Sequence, residues 1–283
     1  MSKRTLLAVL AHPDDESFGM GGTLALYASR GVAVHLVCAT RGEVGEVDRQ
    51  HLKGYGSVAE LRVAELKCAA GILGLAGIHF LDYRDSGMSG SPDNQHPQAL
   101  AAQPVEDVAA KVVHYLRQLR PQVVLTFDPI GGYHHPDHVA IHKATVRAFK
   151  QAADPNFAPD DLLPYTPQRL YFHIMPRRFL RFMVKILPLF GQDPRRWGRN
   201  GDIDLTALVA DDFPVHAAIN YRSVMAKKEG AAACHASQGG GMMMRGMTGW
   251  LLRLSNARET YMRAYPPFHE GERLERDLFG NIL

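Results

Sequence analysis

Apolar runs alternate with amphipathic segments through the first half of the chain. The runs predict buried strands at residues 6–10, 32–38, 78–81 and 123–127. The segments between them predict helices at residues 18–30, 58–73 and 105–119, the first ending at Gly31 and the last ending before Pro121. Strands that are apolar on both faces and separated by helices are typical of a parallel sheet covered by helices on both sides. The pattern therefore predicts an α/β fold.

The pattern is less regular after residue 150, where prolines divide the chain into short segments. It predicts a strand at residues 169–174, a long helix at 219–236 and a loop at 239–244 that is rich in Gly and Met. A length of 283 residues with 46% hydrophobic residues is compatible with one large core. We expect a single domain over residues 1–283, with an α/β core at 1–150 and an irregular C-terminal extension of covering elements at 151–283.

The net charge is weak and gives no sign of a nucleic-acid partner. It is +3, and the Lys and Arg residues are scattered among Asp and Glu. The apolar run at residues 6–10 is too short for the core of a signal peptide, and no small-residue cleavage pattern follows it. We therefore expect a cytoplasmic protein.

The three cysteines, Cys38, Cys68 and Cys234, are widely separated and odd in number. They predict neither a disulfide framework nor a Cys-x-x-Cys metal site. Any bound metal must therefore be held by histidines and carboxylates.

Residues 177–190 combine a basic start with a run of Phe, Leu, Met, Val and Ile that Pro188 interrupts. No apolar stretch in the chain reaches the roughly 18 residues that cross a bilayer. The favoured interpretation is a helix that packs on the core or lines a substrate cleft, because long cationic side chains readily cover apolar surface. The alternative is a helix that lies on a membrane surface.

The first cluster of candidate chemistry follows the first predicted strand and reads A-H-P-D-D-E at residues 11–16. A hydrolytic zinc site needs three protein ligands and one open position for water. His12 and Asp15 supply two ligands, and Asp14, which is not needed as a ligand, is placed to act as the general base. Taken alone, the segment is also compatible with a structural turn in which Asp14 and Asp15 cap the following helix.

The second cluster follows the fourth predicted strand and reads G-G-Y-H-H-P-D-H at residues 131–138. Loops that follow parallel strands open at the carboxyl edge of the sheet, where ligands bind. His138 can therefore meet His12 and Asp15 and complete a metal site, and two such clusters at one edge favour this interpretation over the structural one. A phosphate-binding turn at residues 19–22 is disfavoured, because G-M-G-G does not match G-x-G-x-x-G and the acidic turn before it repels phosphate.

At these two segments the chain resembles the PIG-L or LmbE-like deacetylase family, in particular the bacterial enzymes that deacetylate glucosaminyl intermediates of mycothiol and bacillithiol biosynthesis. The resemblance is dense over residues 6–150, where A-H-P-D-D-E and H-P-D-H are both intact. It implies a Rossmann-like fold with zinc bound by His12, Asp15 and His138 and with Asp14 as general base. Fe(II) can occupy the same nitrogen and oxygen ligands.

The resemblance implies catalytic or binding roles for further residues. His135 is expected to act as an acid or electrostatic partner at the tetrahedral intermediate, with Asp137 tuning its surroundings and Tyr133 helping to stabilise the oxyanion. Arg62 and Asp85 resemble substrate-binding residues of the sugar deacetylases. Considered without the family, Arg62 is equally compatible with a surface ion pair, whereas Asp85 lies in a loop that shares the active edge.

Two features of the sequence leave alternatives open. His134 stands where the mycothiol-pathway enzymes tend to have glycine, and it is equally compatible with a contact near the metal and with a loop histidine that faces solvent. H-A-S-Q at residues 235–238 resembles a segment that approaches the pocket in relatives, although a turn at a helix end is the favoured interpretation.

The sequence thus predicts a zinc-dependent hydrolase that removes an acetyl group from a small-molecule N-acyl amino sugar of the N-acetylglucosaminide type. The alternatives are an amidase that cleaves a larger thiol conjugate, a non-catalytic sugar-binding module and a membrane-associated lipid-sugar deacetylase. The amidase branch carries a lysine shortly after A-H-P-D-D-E, whereas this chain continues S-F-G-M, which favours deacetylation. A homo-oligomer is compatible with the sequence but is not specified by it.

Overall fold

The computed structural model describes residues 4–157, 160–175, 177–196, 201, 204–210, 212–240, 257–280 and 282, with the backbone alone described at 177–179. Within these residues, seven strands form one sheet. In chain order they are β1 (Thr5–Leu10), β2 (Ala33–Cys38), β3 (Gly77–Phe80), β4 (Val123–Phe127), β5 (Arg169–Ile174), β6 (Ala217–Asn220) and β7 (Arg258–Tyr265). Their order across the sheet is β3-β2-β1-β4-β5-β7-β6. Pairs among β1 to β5 are parallel and the two pairs of β7 are antiparallel, so the predicted mostly parallel sheet is confirmed.

Helices cover both faces of this sheet. They are α1 (Asp15–Phe18), α2 (Gly21–Ser29), α3 (Val58–Leu73), α4 (Val105–Leu119), α5 (Gly131–His134), α6 (Pro136–Gln151), α7 (Arg177–Ile186), α8 (Leu205–Leu208) and α9 (Met225–Cys234). Helices α2, α3 and α9 pack together, and α4 packs with α6. The connection from β1 to β2 crosses the sheet in one direction, and the connection from β3 to β4 crosses it in the other. Because such crossovers are right-handed, the two groups of helices lie on opposite faces of the sheet.

The chain reverses its direction of travel across the sheet between β1 and β4, which are adjacent and parallel. At such a switch point the loops that follow the two strands diverge over opposite faces and leave a crevice at the carboxyl edge. His12 follows β1, and residues 128–138 follow β4. The prediction that the two polar clusters share one edge is confirmed.

The core is built around the central strands, and β1 is buried along its whole length. Leu6, Leu7 and Leu10 are fully buried, and burial of such a side chain contributes about 1.5–3 kcal/mol each. A second apolar cluster joins α7 and α8 to the loop after β4. Its buried members are Leu180, Met183, Leu187, Leu205 and Leu208, which pack against Ile130 and Tyr133 among others.

Two predicted helices are corrected by the structure. The helix predicted at residues 18–30 begins at Asp15 and is divided at Gly19 and Met20 into α1 and α2. The long helix predicted at 219–236 is wrong over its first part, where Ala217–Asn220 forms the edge strand β6 against β7. A short apolar run does not distinguish strand from helix by periodicity, and here pairing with β7 decides.

The cysteines also differ from expectation. Cys68 of α3 and Cys234 at the end of α9 form a disulfide, with their Cα atoms 6.0 Å apart, whereas Cys38 is buried and unpaired with another cysteine. The expectation that no disulfide forms is wrong for this pair, because it depends on the packing of α3 against α9 across 166 residues of sequence. Residues 241–244 of the predicted Gly- and Met-rich loop lie outside the described residues. No helix in the described part of the chain is long and apolar enough to cross a membrane.

Candidate metal centre at the carboxyl edge

Polar side chains from the loops after β1, β3 and β4 converge at the switch point. Within the described residues, two groups of buried side chains have ligand atoms within 4.8 Å of one another and could hold a metal ion. One group is His12, His135 and His138, and the other is His12, Asp85 and Asp137. His12 belongs to both groups and is therefore the centre of the cluster.

Two histidines point nitrogen lone pairs at each other. His138 Nδ1 lies 3.0 Å from the carbonyl oxygen of Gly131 and donates to it, which leaves Nε2 as an acceptor. His12 Nε2 lies 3.1 Å from Asp137 Oδ2 and donates to it, so that in the neutral ring Nδ1 is the acceptor. His12 Nδ1 and His138 Nε2 are 3.2 Å apart. Two facing lone pairs repel each other unless a proton or a cation lies between them, so this arrangement suits a bound cation.

The carboxylate of Asp15 lies beside these two nitrogens. We call the metal-ligand atoms of His12, Asp15 and His138 the donor triangle. Its Oδ1 lies 3.2 Å from His138 Nε2, and its Oδ2 lies 3.6 Å from His12 Nδ1. In a tetrahedral site with ligand distances near 2.0–2.1 Å, neighbouring ligand atoms are roughly 3.3–3.4 Å apart. The distances of His138 Nε2 from His12 Nδ1 and from Asp15 Oδ1, both 3.2 Å, are therefore compatible with a zinc-like ion.

Local sequence explains how His138 reaches this position. Gly131 has a φ of 68°, and a Cβ at this position would lie 2.6 Å from the Cβ of His138. Pro136 begins α6, where its missing N–H costs nothing, and the His135 ring accepts the Asp137 amide at 3.2 Å to cap the helix. His138 then stacks on Phe127 at the end of β4, with ring centroids 3.9 Å apart. A tight turn and a helix start thus aim the imidazole at the crevice.

Asp14 lies in a strained turn beside the donor triangle. Its φ is 128°, a left-handed conformation that costs on the order of 1–3 kcal/mol for a residue with a side chain. Although Asp14 precedes α1, its side chain makes no capping hydrogen bond, which argues against the purely structural interpretation of this turn. Burial raises the pKa of Asp14 to about 6, against the opposing charge of Arg62. The carboxylate is therefore a stronger base than an ordinary aspartate and is still mostly ionised at neutral pH.

Arg62 of α3 is buried behind this turn. It donates to the carbonyl oxygen of Pro13 at 2.7 Å, to Asp14 Oδ2 at 3.0 Å and to the carbonyl oxygen of Gly42 at 3.0 Å. Gly42 is needed there, because a Cβ would lie 2.1 Å from the guanidinium. Arg62 is 4% exposed, so the interpretation as a surface ion pair is wrong.

Further carboxylates surround the other side of His12. Asp85 Oδ1 lies 3.5 Å from His12 Nε2, and the Asp137 carboxylate accepts both the amide and the hydroxyl of Ser86. Burial by itself would lower the pKa of His12, but Asp85, Asp137 and Asp15 raise it well above its usual value. The pocket thus favours positive charge at His12, carried by a proton on Nδ1 or by a bound cation. Asp137 contacts His12 through its carboxylate and His135 only through its backbone amide.

His135 and Tyr133 pack against His138 of the donor triangle. Their ring centroids lie 4.9 Å and 5.0 Å from that of His138. Burial, with the neighbouring histidines, lowers the pKa of His135, so the ring is neutral. Its Nδ1 accepts the Asp137 amide, so the ring proton is on Nε2. Burial raises the pKa of Tyr133, so its hydroxyl remains a hydrogen-bond donor at neutral pH.

Sequence reasoning named most of this cluster and missed part of it. His134 is exposed, with a φ of 64°, which matches the interpretation as a loop histidine that faces solvent. Ser86, which holds Asp137, was not identified, although it lies next to Asp85. Glu16 and His235 form a buried contact behind Asp14. The H-A-S-Q segment therefore reaches the back of the site and is more than a helix end.

The fold and the cluster define an α/β protein with a buried cluster of histidines and carboxylates at a switch point, which could hold a metal ion. The family described as "GlcNAc-PI de-N-acetylase" (PIG-L) matches residues 7–149 of the chain. A relative from Catenulispora acidiphila, 1D-myo-inositol 2-acetamido-2-deoxy-alpha-D-glucopyranoside deacetylase 2, is 36% identical over 99% of this chain and 97% of its own length. The chain belongs to the PIG-L family.

Solved structures with the same fold are more distant in sequence. The N,N'-diacetylchitobiose deacetylase of Pyrococcus horikoshii matches with a TM-score of 0.65 and 21% identity, over 93% of this chain and 84% of its own. The 4-carboxy-2-hydroxymuconate hydratase of Pseudomonas putida KT2440 matches with a TM-score of 0.61 and 19% identity, over 95% of this chain and 100% of its own. At these identities the likeness concerns the fold, and the chemistry must be argued from the site.

Proposed function

We propose that the protein is a zinc-dependent hydrolase that removes the acetyl group from an N-acetylated amino sugar, with an N-acetylglucosaminyl-inositol type of compound as the leading substrate class. The observation that carries the proposal is the triangle of His12, Asp15 and His138 with the base Asp14 beside it. The deacetylase of Catenulispora acidiphila, which matches along nearly its whole length, supports the choice of substrate.

His12, Asp15 and His138 would hold the ion. When bound, zinc polarises a carbonyl oxygen and lowers the pKa of water, which supplies a nucleophile at neutral pH. Asp14 accepts the proton of the attacking water as the water oxygen bonds to the amide carbon. A pKa of about 6 suits this task, because the base is ionised yet can return its proton.

Tyr133 and His135 would act on the negative charge that develops on the acyl oxygen. The Tyr133 hydroxyl and the His135 Nε2–H are hydrogen-bond donors of the rings that pack against His138, and donors positioned in a dry site stabilise such charge strongly. The C–N bond then breaks, acetate leaves, and the proton held by Asp14 passes to the leaving amine. In this scheme Asp137 keeps the His12 ring in the tautomer that faces the ion.

Arg62 and Asp85 are proposed to shape the substrate subsite. Asp85 lies within 3.5 Å of His12 and is almost fully buried, at the floor of the crevice. Its carboxylate would accept a hydrogen bond from a sugar hydroxyl next to the acetamido group. Arg62 would hold Asp14 in place while substrate binds, through the contact to Asp14 Oδ2.

Acetate release from a panel of acceptors tests the function. Protein loaded with Zn²⁺, or with Fe²⁺ under anaerobic conditions, is incubated with N-acetylglucosaminyl-inositol, N-acetylglucosaminyl malate and N,N'-diacetylchitobiose. We expect release of acetate from at least one of them, with the metal-free protein inactive. A protein that binds zinc stoichiometrically but releases no acetate from any of them would overturn the proposal. Cleavage of a larger thiol-conjugate amide instead would identify the amidase alternative.

Association with membranes and location in the cell stay as predictions. Phe182, Leu189 and Phe190 are exposed around the end of α7, beside Arg181 and Lys185. We expect the protein to act on small-molecule substrates in the cytoplasm and to remain in the supernatant when sedimented with anionic liposomes. Co-sedimentation would favour a lipid-linked substrate.

A further inference from the structure

A buried pair of side chains lies directly behind Asp14 and has no part in the proposed chemistry. Glu16 of α1 and His235, which follows α9, are both fully buried. Glu16 Oε1 lies 2.7 Å from His235 Nε2. The two residues are 219 positions apart in sequence, so the C-terminal third of the chain supplies one half of the pair.

Glu16 uses both carboxylate oxygens. Oε2 accepts the backbone N–H of Asp14 at 3.0 Å, while Oε1 accepts the Ser17 hydroxyl at 2.6 Å in addition to the His235 contact. Hydrogen bonds to an ionised carboxylate are shorter and stronger than neutral ones. The carboxylate is thereby fixed in one orientation and holds the amide of the strained residue.

The strained turn at Asp14 is thus held from two sides. Glu16 binds its amide, and Arg62 binds the preceding carbonyl oxygen and the Asp14 carboxylate. A non-glycine residue at a φ of 128° keeps that conformation only when its surroundings impose it. Loss of either contact allows the turn to relax and the Asp14 carboxylate to move away from the donor triangle.

The segment that carries His235 is itself tied to α3. The Ser237 amide and hydroxyl donate to the two oxygens of Glu65, each at 2.7 Å, and Ser237 and Glu65 are buried. Glu65 lies three residues after Arg62 on the same helix. α3 therefore contacts the catalytic turn directly through Arg62 and indirectly through the His235 segment.

We propose that Glu16 and His235 are positioning residues that set the place of the Asp14 carboxylate, so that the C-terminal third of the chain completes the active site. The inference rests on the proposed function, since it assigns a role relative to Asp14 as the base. His235 acts through Glu16, and Glu16 acts through the amide of Asp14.

The first experiment separates kcat, KM and metal content. We expect Glu16→Ala and His235→Ala to lower kcat on the order of 10²-fold, because a misplacement of about 1 Å has that effect, while KM stays within about twofold and zinc remains stoichiometric. Glu16→Gln should be less impaired than Glu16→Ala, since its amide oxygen still accepts the Asp14 N–H, although its NH2 group cannot accept the hydrogen bonds that Oε1 accepts. Tyr27→Phe is the matched control. It removes a buried hydroxyl that bonds Asp277 and Leu278 away from the site, and it should leave kcat unchanged.

The second experiment asks whether Glu16 acts through Asp14. In an Asp14→Ala background, adding Glu16→Ala should change the residual kcat by less than about twofold. In a double variant of Glu16→Ala and His235→Ala, kcat should fall no further than in the more impaired of the two single variants. Additive losses in these combinations would overturn the proposal, as would a Glu16→Gln variant as impaired as Glu16→Ala.

A readout that needs no activity separates this proposal from the proposed function. Amide hydrogen exchange at Asp14, measured by NMR in protein labelled with ¹⁵N-aspartate, should be slow in the wild type and in Tyr27→Phe. It should be at least about tenfold faster in Glu16→Ala and His235→Ala. Unchanged protection in both variants would overturn the positioning role. If the two variants lose protection at Asp14 but the wild-type protein deacetylates none of the acceptors, the proposed function is overturned. The positioning of Asp14 by Glu16 and His235 would still be supported.

Discussion

Two clusters of buried charge lie at opposite edges of the sheet and differ in how their polar atoms are satisfied. At the carboxyl edge, His12 and His138 point lone pairs at each other beside Asp15. At the amino edge, Arg169 at the start of β5 and Arg263 of β7 both bind Glu275. Arg263 also binds Glu272 through both carboxylate oxygens.

The amino-edge cluster has its charges matched. The remaining donors of Arg169 and Arg263 bind carbonyl oxygens of Gly280, Pro266 and Pro267. Around this network lies a cavity of about 460 Å³. A cavity alone therefore does not mark the candidate site, and the more useful sign is a set of buried metal-ligand atoms that converge on one point.

Removal of one residue of the donor triangle should have the largest effect. His138→Ala should abolish stoichiometric zinc binding and reduce deacetylation to the level of the metal-free protein, because two protein ligands hold the ion poorly. Elemental analysis after dialysis measures the first effect. His134→Ala, which changes the exposed neighbour, is the matched control and should retain both metal and activity. A His138→Ala protein with full zinc would refute the assignment.

Asp14→Asn should separate chemistry from metal binding. The variant keeps the shape of the side chain but cannot accept a proton, so we expect kcat to fall by about 10²–10⁴-fold while zinc content stays at the wild-type level. Steady-state kinetics on the zinc-loaded protein measures this. Activity within a few-fold of the wild type would show that another group is the base.

A smaller effect is expected from loss of the Asp137 carboxylate, which accepts a hydrogen bond from His12 Nε2–H. Asp137→Ala removes the acceptor of the His12 Nε2–H and should weaken zinc affinity by about 10–100-fold. Competition with a zinc-binding dye measures the affinity. Ser86→Ala, which loses one hydrogen bond to Asp137, should have a weaker effect in the same direction. Equal zinc affinity in wild type and Asp137→Ala would contradict the tautomer assigned to His12.

At the amino edge the expected change is in stability alone. Glu275→Ala leaves Arg169 without its carboxylate partner and should lower the free energy of unfolding by on the order of 3 kcal/mol. Urea denaturation measures the loss, while zinc content and kcat of the folded protein should be unchanged. A loss of zinc or a fall in kcat would show that the amino-edge cluster affects the candidate site as well as stability.

A change in stability is also expected from the disulfide between α3 and α9. Reduction of Cys68–Cys234 should lower the free energy of unfolding by about 2–4 kcal/mol, because the crosslink closes a long loop of the unfolded chain. Thermal unfolding with and without dithiothreitol measures this, and a Cys68→Ser, Cys234→Ser double variant should not respond to the reductant. Alkylation of both thiols in the untreated protein would show that the bond does not form.

Most of the first half of the fold could be predicted from the sequence because its strands are largely apolar and separated by helices, although α6 was not predicted. Prediction failed for β6, whose four residues take their conformation from pairing with β7. It also failed at Gly19 and Met20, where the predicted helix is divided into α1 and α2. At β6 a tertiary contact overrides the local pattern.

The sequence alone predicts the main residues of the candidate site. A-H-P-D-D-E and H-P-D-H place His12, Asp14, Asp15 and His138 just beyond two parallel strands, and strand polarity brings such positions to one edge. Local signals also specify the turn at Gly131 and the start of α6 at Pro136. These features depend on neighbours in the chain.

The orientations and pKa values of these residues depend on the tertiary structure. The nitrogen that His12 turns inward depends on Asp137, 125 residues away, and the pKa of Asp14 depends on burial and on Arg62. The contact of Glu16 with His235 spans 219 residues. Hydrogen-bond direction and desolvation are set by whatever the fold packs around a group, so the roles of these residues follow from contacts that a sequence pattern does not contain.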